Sequence, residues 1–553
     1  MNKLYYGDCL TIMRDMPLGS VDLVYLDPPF NSNREYSAIY KDETGRPLPD
    51  QIEAFNDSWE LSEERQRAIR MMPILMRDYG IPDEIVEFWR IWMNALRNTQ
   101  PKLLAYLSYM TERLLPLKGI VKPTGAVFLH CDPTASHYIK VMMDGIFGHQ
   151  NFRSEIIWRR MNPTGRGTRR LANNADHIIY YAMGNSFTWH RQFLLHDERY
   201  VERNYRFVDK SGRRYRFDNL QGAGVRTGSS GAPWRGVDPN DSGSHWAIPN
   251  AALPESAKNL SSQAKLEILD EMGRIYWSPK GKVPAYKRYL DEMPGTPVDT
   301  IWDDIGGLQS QSKERLGYAT QKPVALLERI ISMSSNEGEL VFEPFCGCAT
   351  TLEAAQRLGR RWIGIDIAIH AIKRVAKVRL EDRLGLKEGV DFTVEGVPHS
   401  LEGAHDLWER DKYHFQKWAI EQVDGFVTSR KSADGGIDGR LYFSMPNERD
   451  LQSMVIEVKG GKNINPTVLR DLRGVLERDQ ALMAGLIVME DLGERKTKNF
   501  RREMGDARDI NVNGVLYPRM QMLSVPEILT GKRFLAPSVA RGRTVAQPSL
   551  PFG

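Results

Sequence analysis

Short apolar runs alternate with helix-like segments over the first 150 residues of the chain. The run VDLVYL (21–26) is apolar at almost every position, which is typical of a strand buried on both faces. AVFLHC (126–131) has the same character, and the amphipathic stretch HYIKVMMDGIF follows it. Near the start, LYY (4–6) precedes Asp8, which stands at the place of a helix N-cap. Strands that alternate with helices predict a parallel α/β sheet.

This alternation stops near residue 151 and returns near residue 301. The stretch between is rich in turn-forming residues, and its segment 222–244 is too long for a compact connection. The chain then predicts strand, helix and strand again, in ELVFEPF, TLEAAQRLG and RWIGIDI. A last block contains a helical segment, HDLWERDKYHFQKWAIEQV, and the strand candidates GRLYF, MVIEV and GLIVM.

The patterns divide the chain into five parts. We expect two halves of one α/β core, a domain inserted between them, a C-terminal α/β domain and a disordered tail. In that order the parts are 1–150 and 301–396, 151–300, 404–535 and 536–553.

Composition excludes several classes of protein. The chain has 553 residues, which fits about three domains. With 41% hydrophobic and 26% charged residues, a mostly disordered chain is excluded. We expect no membrane span and no secretory signal, because no run of about 18 apolar residues occurs and MNKLYYGDCL lacks a basic start before an apolar stretch. The four cysteines fit neither a zinc site nor a disulfide framework, so a cytoplasmic location is expected.

The net charge of +4 is unevenly distributed. Residues 151–220 carry 14 Lys and Arg against 7 Asp and Glu, together with 12 aromatic residues. A basic segment interleaved with aromatic residues suits a phosphate backbone and stacked bases. A solvated face over a small core would give the same composition, so both interpretations stay open.

The segment FEPFCGCATT (342–351) lies between a predicted strand and a predicted helix. A tight glycine turn at this place lets backbone N–H groups and the helix N-terminus approach a ligand closely. The next strand ends in Asp366, which could accept hydrogen bonds from two ribose hydroxyls. The pattern therefore indicates a nucleotide-type cofactor, although an ordinary strand–turn–helix would look similar.

A second segment, YLDPPF (25–30), places an acid at the end of a buried strand. The prolines Pro28 and Pro29 fix the backbone and leave their carbonyls as free acceptors. We expect Asp27 and the Pro28 carbonyl each to accept one N–H of an exocyclic amine, while Phe30 stacks on the flat base. Holding both N–H groups would expose the nitrogen lone pair for attack.

LDPPF, QKP (321–323) and FEPFCGCATT with GIDI resemble the bacterial DNA amino-methyltransferases of the β class, over about residues 1–395. The resemblance implies a doubly wound, Rossmann-like methyltransferase sheet and S-adenosylmethionine as cofactor. It also implies a cofactor site in which Asp366 binds the ribose and Lys322 lies near the methionine end. The full set implied is Asp8, Lys322, Glu343, Phe345, Cys346, Gly347 and Asp366. The chain departs from the family at Ala349, where Gly is usual, and at Glu343, where Asp is frequent.

The same resemblance implies double-stranded DNA as substrate, with the target base flipped out of the stack. Residues 151–300 would then be the target-recognition domain. Its candidate DNA-binding arginines are Arg159, Arg160, Arg166, Arg169 and Arg170. Asp before Pro-Pro favours adenine N6 as acceptor, with cytosine N4 as the alternative. A homodimer is left open.

A third group of residues lies near the C-terminus. Asp438 begins one strand candidate, and Glu457 and Lys459 lie two apart on the next, therefore on one face. Asp438 and Glu457 could hold Mg²⁺, and Lys459 could orient the attacking water. The glycines Gly460 and Gly461 would let a backbone or a phosphate approach closely.

These residues resemble the PD-(D/E)xK nucleases, more closely the Mrr-like restriction endonucleases, over about residues 404–535. Glu421 is the candidate for the upstream helix acid. The resemblance implies a type II-like endonuclease fused to the methyltransferase, and we hypothesise that it cuts DNA whose sites are unmodified. A solitary methyltransferase whose C-terminal domain only binds DNA is the alternative, and a non-enzymatic DNA-binding regulator is a third.

Overall fold

The structure is a computed structural model. It describes the side chains of 1–29, 59–161, 171, 173–278, 283–309, 312–316, 321–368, 371–372, 376–427, 437–445, 451–461, 464–493 and 497–537. The backbone is also described at 36–38, 52–55, 373–375 and 494–496. Four predicted site residues, Phe30, Arg166, Arg169 and Arg170, and nearly all of the expected tail lie outside these ranges. The chain forms two compact units, one made of Met1–His190 with Thr300–Gly553 and the other of Arg191–Asp299.

A nine-stranded sheet is the centre of the first unit. Its strands in chain order are β1 (Asn2–Tyr6), β2 (Val21–Leu26), β3 (Val121–Cys131), β4 (Phe152–Arg159), β5 (Ala175–Ala182), β6 (Ile301–Trp302), β7 (Leu340–Glu343), β8 (Arg361–Asp366) and β9 (Phe392–Glu395). Their order across the sheet is β6-β4-β5-β3-β2-β7-β8-β1-β9. Only β5 runs antiparallel to its neighbours, so the predicted parallel sheet is a mixed sheet with one reversed strand.

The order of the strands reverses between β7 and β2. From β7 the chain adds β8 on one side, whereas β2 and β3 lie on the other. The strands β2 and β7 are parallel neighbours, with Leu23 opposite Val341 and Val24 opposite Phe342. Ligands bind beyond the carboxyl ends of strands at such a switch point. The segments that follow β2 and β7 therefore meet at one edge of the sheet.

Helices cover this sheet, and their bounds are α1 (Cys9–Arg14), α2 (Glu63–Asp78), α3 (Asp83–Thr99), α4 (Pro101–Ile120), α5 (Ser136–Phe147), α6 (Val324–Ser334) and α7 (Thr350–Arg357). All six residues of β2 are buried, as their apolar run predicts. Side chains of α1 to α5 share one hydrophobic core with β2 and β3. After β8 the chain forms two π-helical segments, Ala371–Ala376 and Arg379–Arg383.

The C-terminal block is a smaller α/β sheet within the same unit. Its helices are α8 (Leu401–Arg410), α9 (Lys412–Gln422), α10 (Thr467–Arg478), α11 (Glu494–Gly505) and α12 (Val525–Leu529). Its strands are β10 (Phe426–Val427), β11 (Gly439–Phe443), β12 (Gln452–Lys459), β13 (Met483–Val488) and β14 (Met520–Ser524), in that order across the sheet. The helix predicted across residues 405–423 is broken at Asp411, which caps α9 by accepting the His414 backbone N–H at 3.0 Å.

The second unit contains a four-stranded sheet and its own core. The strands are Ile275–Tyr276, Ala285–Tyr289, Arg214–Asn219 and Phe207–Val208. Trp234, Trp246 and Leu266 are among the buried residues of the core. Part of the excess of positive charge in residues 151–220 is neutralised by ion pairs in this unit, since Arg213 pairs with Asp291 and Arg216 with Asp218.

The expected start of the inserted domain at residue 151 is too early. Strand β4 pairs with β5, and β5 pairs with β3, so residues up to His190 belong to the first unit. The sequence did not predict that β4 and β5 belong to the sheet, because they pair as antiparallel strands and not as part of a strand–helix repeat. Within the described ranges, no helix is both long enough and apolar enough to cross a membrane.

Candidate functional site

Asp27 and Pro28 lie at the carboxyl end of β2. Pro28 is buried and Asp27 is partly buried. Both oxygens of the Asp27 carboxylate accept hydrogen bonds from Lys322 Nζ, at 2.7 and 2.5 Å. Sequence reasoning expected Lys322 near a cofactor, but its observed partner is this acid, 295 residues away in the chain. The two oxygens are therefore held in a fixed orientation at the edge of the sheet.

The loop after β7 bends back towards β8. The Cys346 backbone N–H donates to the Ile365 carbonyl at 2.8 Å, and the Gly347 N–H donates to Asp366 Oδ2 at 2.8 Å. The other oxygen of Asp366 accepts the Ala368 N–H at 2.8 Å. Ala349 caps α7 in the left-handed region, at φ 59° and ψ 32°. The loop brings Glu343 and Asp366 to neighbouring strand ends.

Two buried acids have shifted proton affinities at this edge. Burial raises the pKa of Asp366 to about 6, although the two backbone N–H groups oppose the shift. Burial also raises the pKa of Glu343 well above its usual value, and the charge of Asp27 adds to the shift. Glu343 Oε2 is buried and has no hydrogen-bond partner among the residues that the structure describes. A buried acceptor without a partner is costly unless a ligand donates to it.

The predicted cofactor residue Asp8 has a partner that sequence reasoning missed. Asp8 caps α1 by accepting the Leu10 N–H at 3.0 Å, as expected. Its carboxylate also accepts from Arg113 Nη2, at 2.9 Å to each oxygen. The Arg113 guanidinium lies 3.5 Å from the centre of the Tyr109 ring, and that ring lies 6.4 Å from Phe345. Nothing in the sequence pattern of α4 marks Arg113, because its partner is 105 residues away.

These residues fit a nucleotide-type cofactor. An unpaired carboxyl oxygen on Glu343, a buried acid on Asp366 and an aromatic residue at Phe345 offer hydrogen-bond acceptors and an apolar surface beside one tight glycine turn. Cys346 is buried, and burial raises the pKa of its thiol well above the usual value. It therefore serves as a small packing residue rather than as a thiolate nucleophile.

A buried chain of polar groups lies behind β2. Tyr25 Oη hydrogen-bonds to His130 Nδ1 at 2.7 Å, and His130 Nε2 to Asp176 Oδ2 at 3.0 Å. Asp176 also forms an ion pair with Arg160 at 2.9 Å. Burial alone would raise the pKa of Asp176, but the His130 hydrogen bond and nearby cations lower it. Arg160, which the sequence makes a candidate for DNA contact, is paired with this internal acid in the structure, and its side chain is 32% exposed.

Arg159, the neighbouring candidate for DNA contact, pairs with Asp303 at 3.0 Å. Its side chain is 47% exposed, so the pair can rearrange. The remaining three candidate arginines lie outside the described residues.

The C-terminal acids lie side by side on paired strands. Asp438 precedes β11, and its Oδ2 accepts the Val458 N–H at 2.7 Å. On β12, Glu457 and Lys459 form an ion pair at 2.6 Å. Burial raises the pKa of both Asp438 and Glu457, and the Lys459 ammonium opposes the shift in each. Within the described part of the chain, Glu457 Oε2 is buried without a hydrogen-bond partner.

The described residues show no group of three or more His, Cys, Asp or Glu side chains placed to hold a metal ion. Glu421, the expected third acid, influences Tyr6 of β1 electrostatically. The structure thus brings together Asp438 and Glu457, and Lys459 with them, as the sequence predicts.

The comparisons with known proteins agree with this geometry. The family model described as DNA methylase, of the N6 and N4 type, matches residues 21–377. The chain belongs to this family. The match runs from β2 into the π-helical segments, so it includes both strand ends of the site. It ends before the C-terminal block.

Three curated relatives are informative. The type II methyltransferase M.EcaI of Enterobacter cloacae is 33% identical over 273 residues, which are 49% of this chain and 57% of the relative. The Mod subunit of the type III restriction-modification enzyme StyLTI of Salmonella typhimurium is 25% identical over 371 residues, 65% of this chain and 50% of the relative. The DNA adenine methyltransferase YhdJ of Escherichia coli is 52% identical over 92 residues, 17% of this chain and 30% of the relative. The chain spans about half the length of the first two relatives.

Proposed function

We propose that the chain is a site-specific DNA methyltransferase that transfers a methyl group from S-adenosylmethionine to adenine N6 in double-stranded DNA. The observation that carries the proposal is the pairing of β2 with β7, which sets the Asp27-Pro28-Pro29 segment beside the Glu343–Ala349 loop. The Asp27-Pro28-Pro29 segment offers hydrogen-bond acceptors for an amine. The Glu343–Ala349 loop, with Asp366 beside it, forms the surface that would bind the nucleotide part of the cofactor, which we call the cofactor cradle. Membership of the DNA methylase family supports this assignment.

Each residue has a stated task in this proposal. S-adenosylmethionine supplies an electrophilic methyl group when it is bound. Asp366 accepts the ribose hydroxyls, while Glu343, Gly347 and Asp8 line the same cradle, with Phe345 and Cys346 as its apolar wall. The incoming amine takes one oxygen of Asp27 and leaves the other to Lys322, whose ion pair keeps the carboxylate oriented. The Pro28 carbonyl accepts the second N–H, which leaves the nitrogen lone pair outside the conjugation of the base.

Recognition of DNA requires the target base to leave the stack. The unit Arg191–Asp299 is the candidate for sequence recognition, because it has its own core and exposes aromatic residues such as Tyr200 and Phe207. Arg159, the last residue of β4, and Arg160, which follows it, are candidates for phosphate contacts. Phe30 is the candidate for stacking on the extruded base.

Product analysis tests the proposal. Purified chain is incubated with unmethylated plasmid DNA and S-adenosylmethionine, and the digested nucleosides are quantified by mass spectrometry. We expect N6-methyladenine with the natural chain, and a loss of about 100-fold or more in Asp27→Ala, since an oriented acceptor contributes that much. Glu337→Ala, an exposed acid remote from both segments, is the matched control. Absence of any methylated base would overturn the proposal.

Cytosine N4 is the alternative acceptor, because the same two acceptors fit any exocyclic amine. The Asp before Pro-Pro and the name of the Escherichia coli relative as an adenine methyltransferase favour adenine. N4-methylcytosine in the same nucleoside analysis would reverse the choice of base and keep the reaction.

A second candidate activity resides in the C-terminal block. We propose that Asp438 and Glu457 hold Mg²⁺ and that Lys459 orients a water molecule for hydrolysis of a phosphodiester bond. The unpartnered Glu457 Oε2 and the raised pKa values of the two acids support this, because a cation would satisfy and ionise both. The StyLTI relative is the Mod subunit of a restriction-modification enzyme, a context in which methylation and cleavage of DNA occur together.

Cleavage assays test the second activity. Plasmid DNA from a host without the modification is incubated with the chain and Mg²⁺, in parallel with DNA that the chain has first methylated. We expect only the unmethylated DNA to be cut, and no cutting by Lys459→Ala, while Lys498→Ala, exposed on α11, cuts normally. Equal cutting of both substrates would reject the restriction-modification hypothesis. No cutting with Mg²⁺ or Mn²⁺ would leave the C-terminal block as a DNA-binding domain of a solitary methyltransferase.

A further inference from the structure

The carboxyl end of β1 contacts the C-terminal block at a point next to the cofactor cradle. Tyr6, the last residue of β1, is buried and donates a hydrogen bond from Oη to the His414 carbonyl of α9 at 3.4 Å. The rings of Tyr6 and His414 meet edge to face at 6.1 Å between centres. The next residue, Gly7, donates its N–H to the Asp366 carbonyl at 3.0 Å. A helix of the C-terminal block therefore packs one residue away from the Asp366 strand end.

Lys417 lies on the same face of α9. It follows His414 by three residues, so the two side chains project from one side of the helix. Its Nζ lies 5.0 Å from the centre of the Tyr413 ring, and the side chain is partly buried. This face is the one that meets β1, which places a lysine charge near the end of β8.

The charges around Asp366 come from four elements. Glu343 of β7, Cys346 of the loop after it and Tyr6 of β1 are groups that become negative when they ionise. Lys417 of α9 is positive, and its charge lowers the pKa of Asp366 against the burial that raises it. The backbone N–H groups of Gly347 and Ala368 act in the same direction as Lys417.

We propose that Lys417, a residue of the C-terminal block, is a positioning residue of the cofactor site that keeps Asp366 ionised and thereby able to accept both ribose hydroxyls. The inference rests on the proposed function only for the identity of the cofactor. In this proposal the nine-stranded sheet and the C-terminal block both contribute residues to the cofactor site, and α9 is the element that carries the contribution of the C-terminal block.

The proposal has a pH signature. A carboxylate accepts two hydroxyl hydrogens, whereas a protonated Asp366 accepts fewer and must donate one. The pKa of Asp366 is about 6, so affinity for the cofactor is full above that pH and falls below it. Loss of the Lys417 charge moves this fall to higher pH. Titration of Glu343 is common to all variants and does not move with Lys417.

Calorimetric binding of S-adenosylhomocysteine to the full chain tests the proposal between pH 5.5 and 8.5. The variants are Lys417→Gln, Lys417→Arg and Lys412→Gln, an exposed lysine on the same helix. We expect Lys417→Gln to weaken binding up to about threefold near pH 6.5, since a rise of one in the pKa of Asp366 would lower its ionised fraction about threefold at that pH. At pH 8.5 the deficit should shrink. Lys417→Arg and Lys412→Gln should follow the natural chain.

Two results would overturn the inference. A Lys417→Gln curve that superimposes on that of the natural chain excludes a role for the charge, and a deficit that is equal at every pH indicates a purely structural effect. Both differ from failure of the proposed function, in which the natural chain itself would bind no S-adenosylhomocysteine.

Discussion

Glu343 is an acid held in surroundings that disfavour its charge. It is buried at the end of β7, close to Asp27 and Asp366, and one of its oxygens has no partner. The unfolded chain ionises this carboxyl near its usual pKa of 4.5, whereas the folded chain does so only at higher pH. Stability is therefore lost as the pH rises through the interval between the two values, at about 1.4 kcal/mol per pH unit.

Glu343→Gln should remove this loss. The amide has nearly the same shape and stays neutral, so the stability of the variant relative to the natural chain should increase from pH 5 to pH 8. Urea unfolding without ligand at both pH values measures the difference. Glu337→Gln, at an exposed position, is the control and should show no such trend. A difference for Glu343→Gln that is equal at both pH values would show that the carboxyl is ionised throughout.

Ala349 occupies a backbone conformation that suits glycine. Its φ of 59° is left-handed, and its side chain is fully buried. Ala349→Val should cost about 2–4 kcal/mol, because a branched residue is strained in this region and overfills the loop. Ala349→Gly should stay within about 1 kcal/mol of the natural chain, since relief of strain offsets the lost methyl group and the more flexible unfolded chain.

Urea unfolding measures both Ala349 variants. Ala95→Val, at an exposed position of α3, serves as control and should cost less than about 0.7 kcal/mol. A tolerated valine at 349 would mean that the loop can relax out of the left-handed region.

At the scale of secondary-structure elements, the packing of α8 on β12 distinguishes two neighbouring glycines. Gly460 and Gly461 follow β12, and the sequence suggested that both leave room for a backbone or a phosphate. In the structure a Cβ on Gly460 would overlap the Trp408 ring of α8, whereas one on Gly461 would meet no atom of the described residues within 4 Å. Gly460 therefore serves the packing of α8 on β12, and only Gly461 leaves open space.

Substitutions at the two glycines should have different effects, one on the stability of the chain and the other on the approach of a ligand. Gly460→Ala should destabilise the chain by about 1–3 kcal/mol, because the methyl group overpacks against an aromatic ring. Gly461→Ala should leave the unfolding midpoint unchanged. If a phosphate approaches at Gly461, that variant should nevertheless bind DNA more weakly in a filter or fluorescence assay. Equal stability of the two variants would contradict the packing role of Gly460.

Local patterns predicted the strands of the site well. The buried run of β2, the Asp8 cap and the strand–turn–helix at β7 depend on neighbouring residues, and the structure confirms all three. The contacts that the sequence could not show join distant residues: Lys322 to Asp27, Arg113 to Asp8 and Tyr6 to α9. The pairing of β4 with β5, and of β5 with β3, was also missed, because antiparallel neighbours depart from the strand–helix–strand pattern that predicted a parallel sheet.

The whole molecule joins two proposed chemistries that oppose each other in a host cell. Methylation at the β2 and β7 edge would protect the sites that the Asp438, Glu457 and Lys459 group would cut. Loss of the first activity with the second intact should therefore damage host DNA. Expression of Asp27→Ala should lower host viability, and Lys459→Ala in the same chain should restore it. Lys498→Ala in its place should not.

The measurement is plating efficiency after induction, with DNA breaks scored in the same cells. The double variants distinguish cleavage from misfolding, because an aggregating Asp27→Ala chain would stay harmful whichever lysine is changed. Harmless expression of Asp27→Ala, together with cleavage of unmodified plasmid by the purified natural chain, would mean that the nuclease needs the methyltransferase site to be intact. In that case the contact between β1 and α9, which joins the nine-stranded sheet to the C-terminal block, is the element through which the two groups of residues would be coupled.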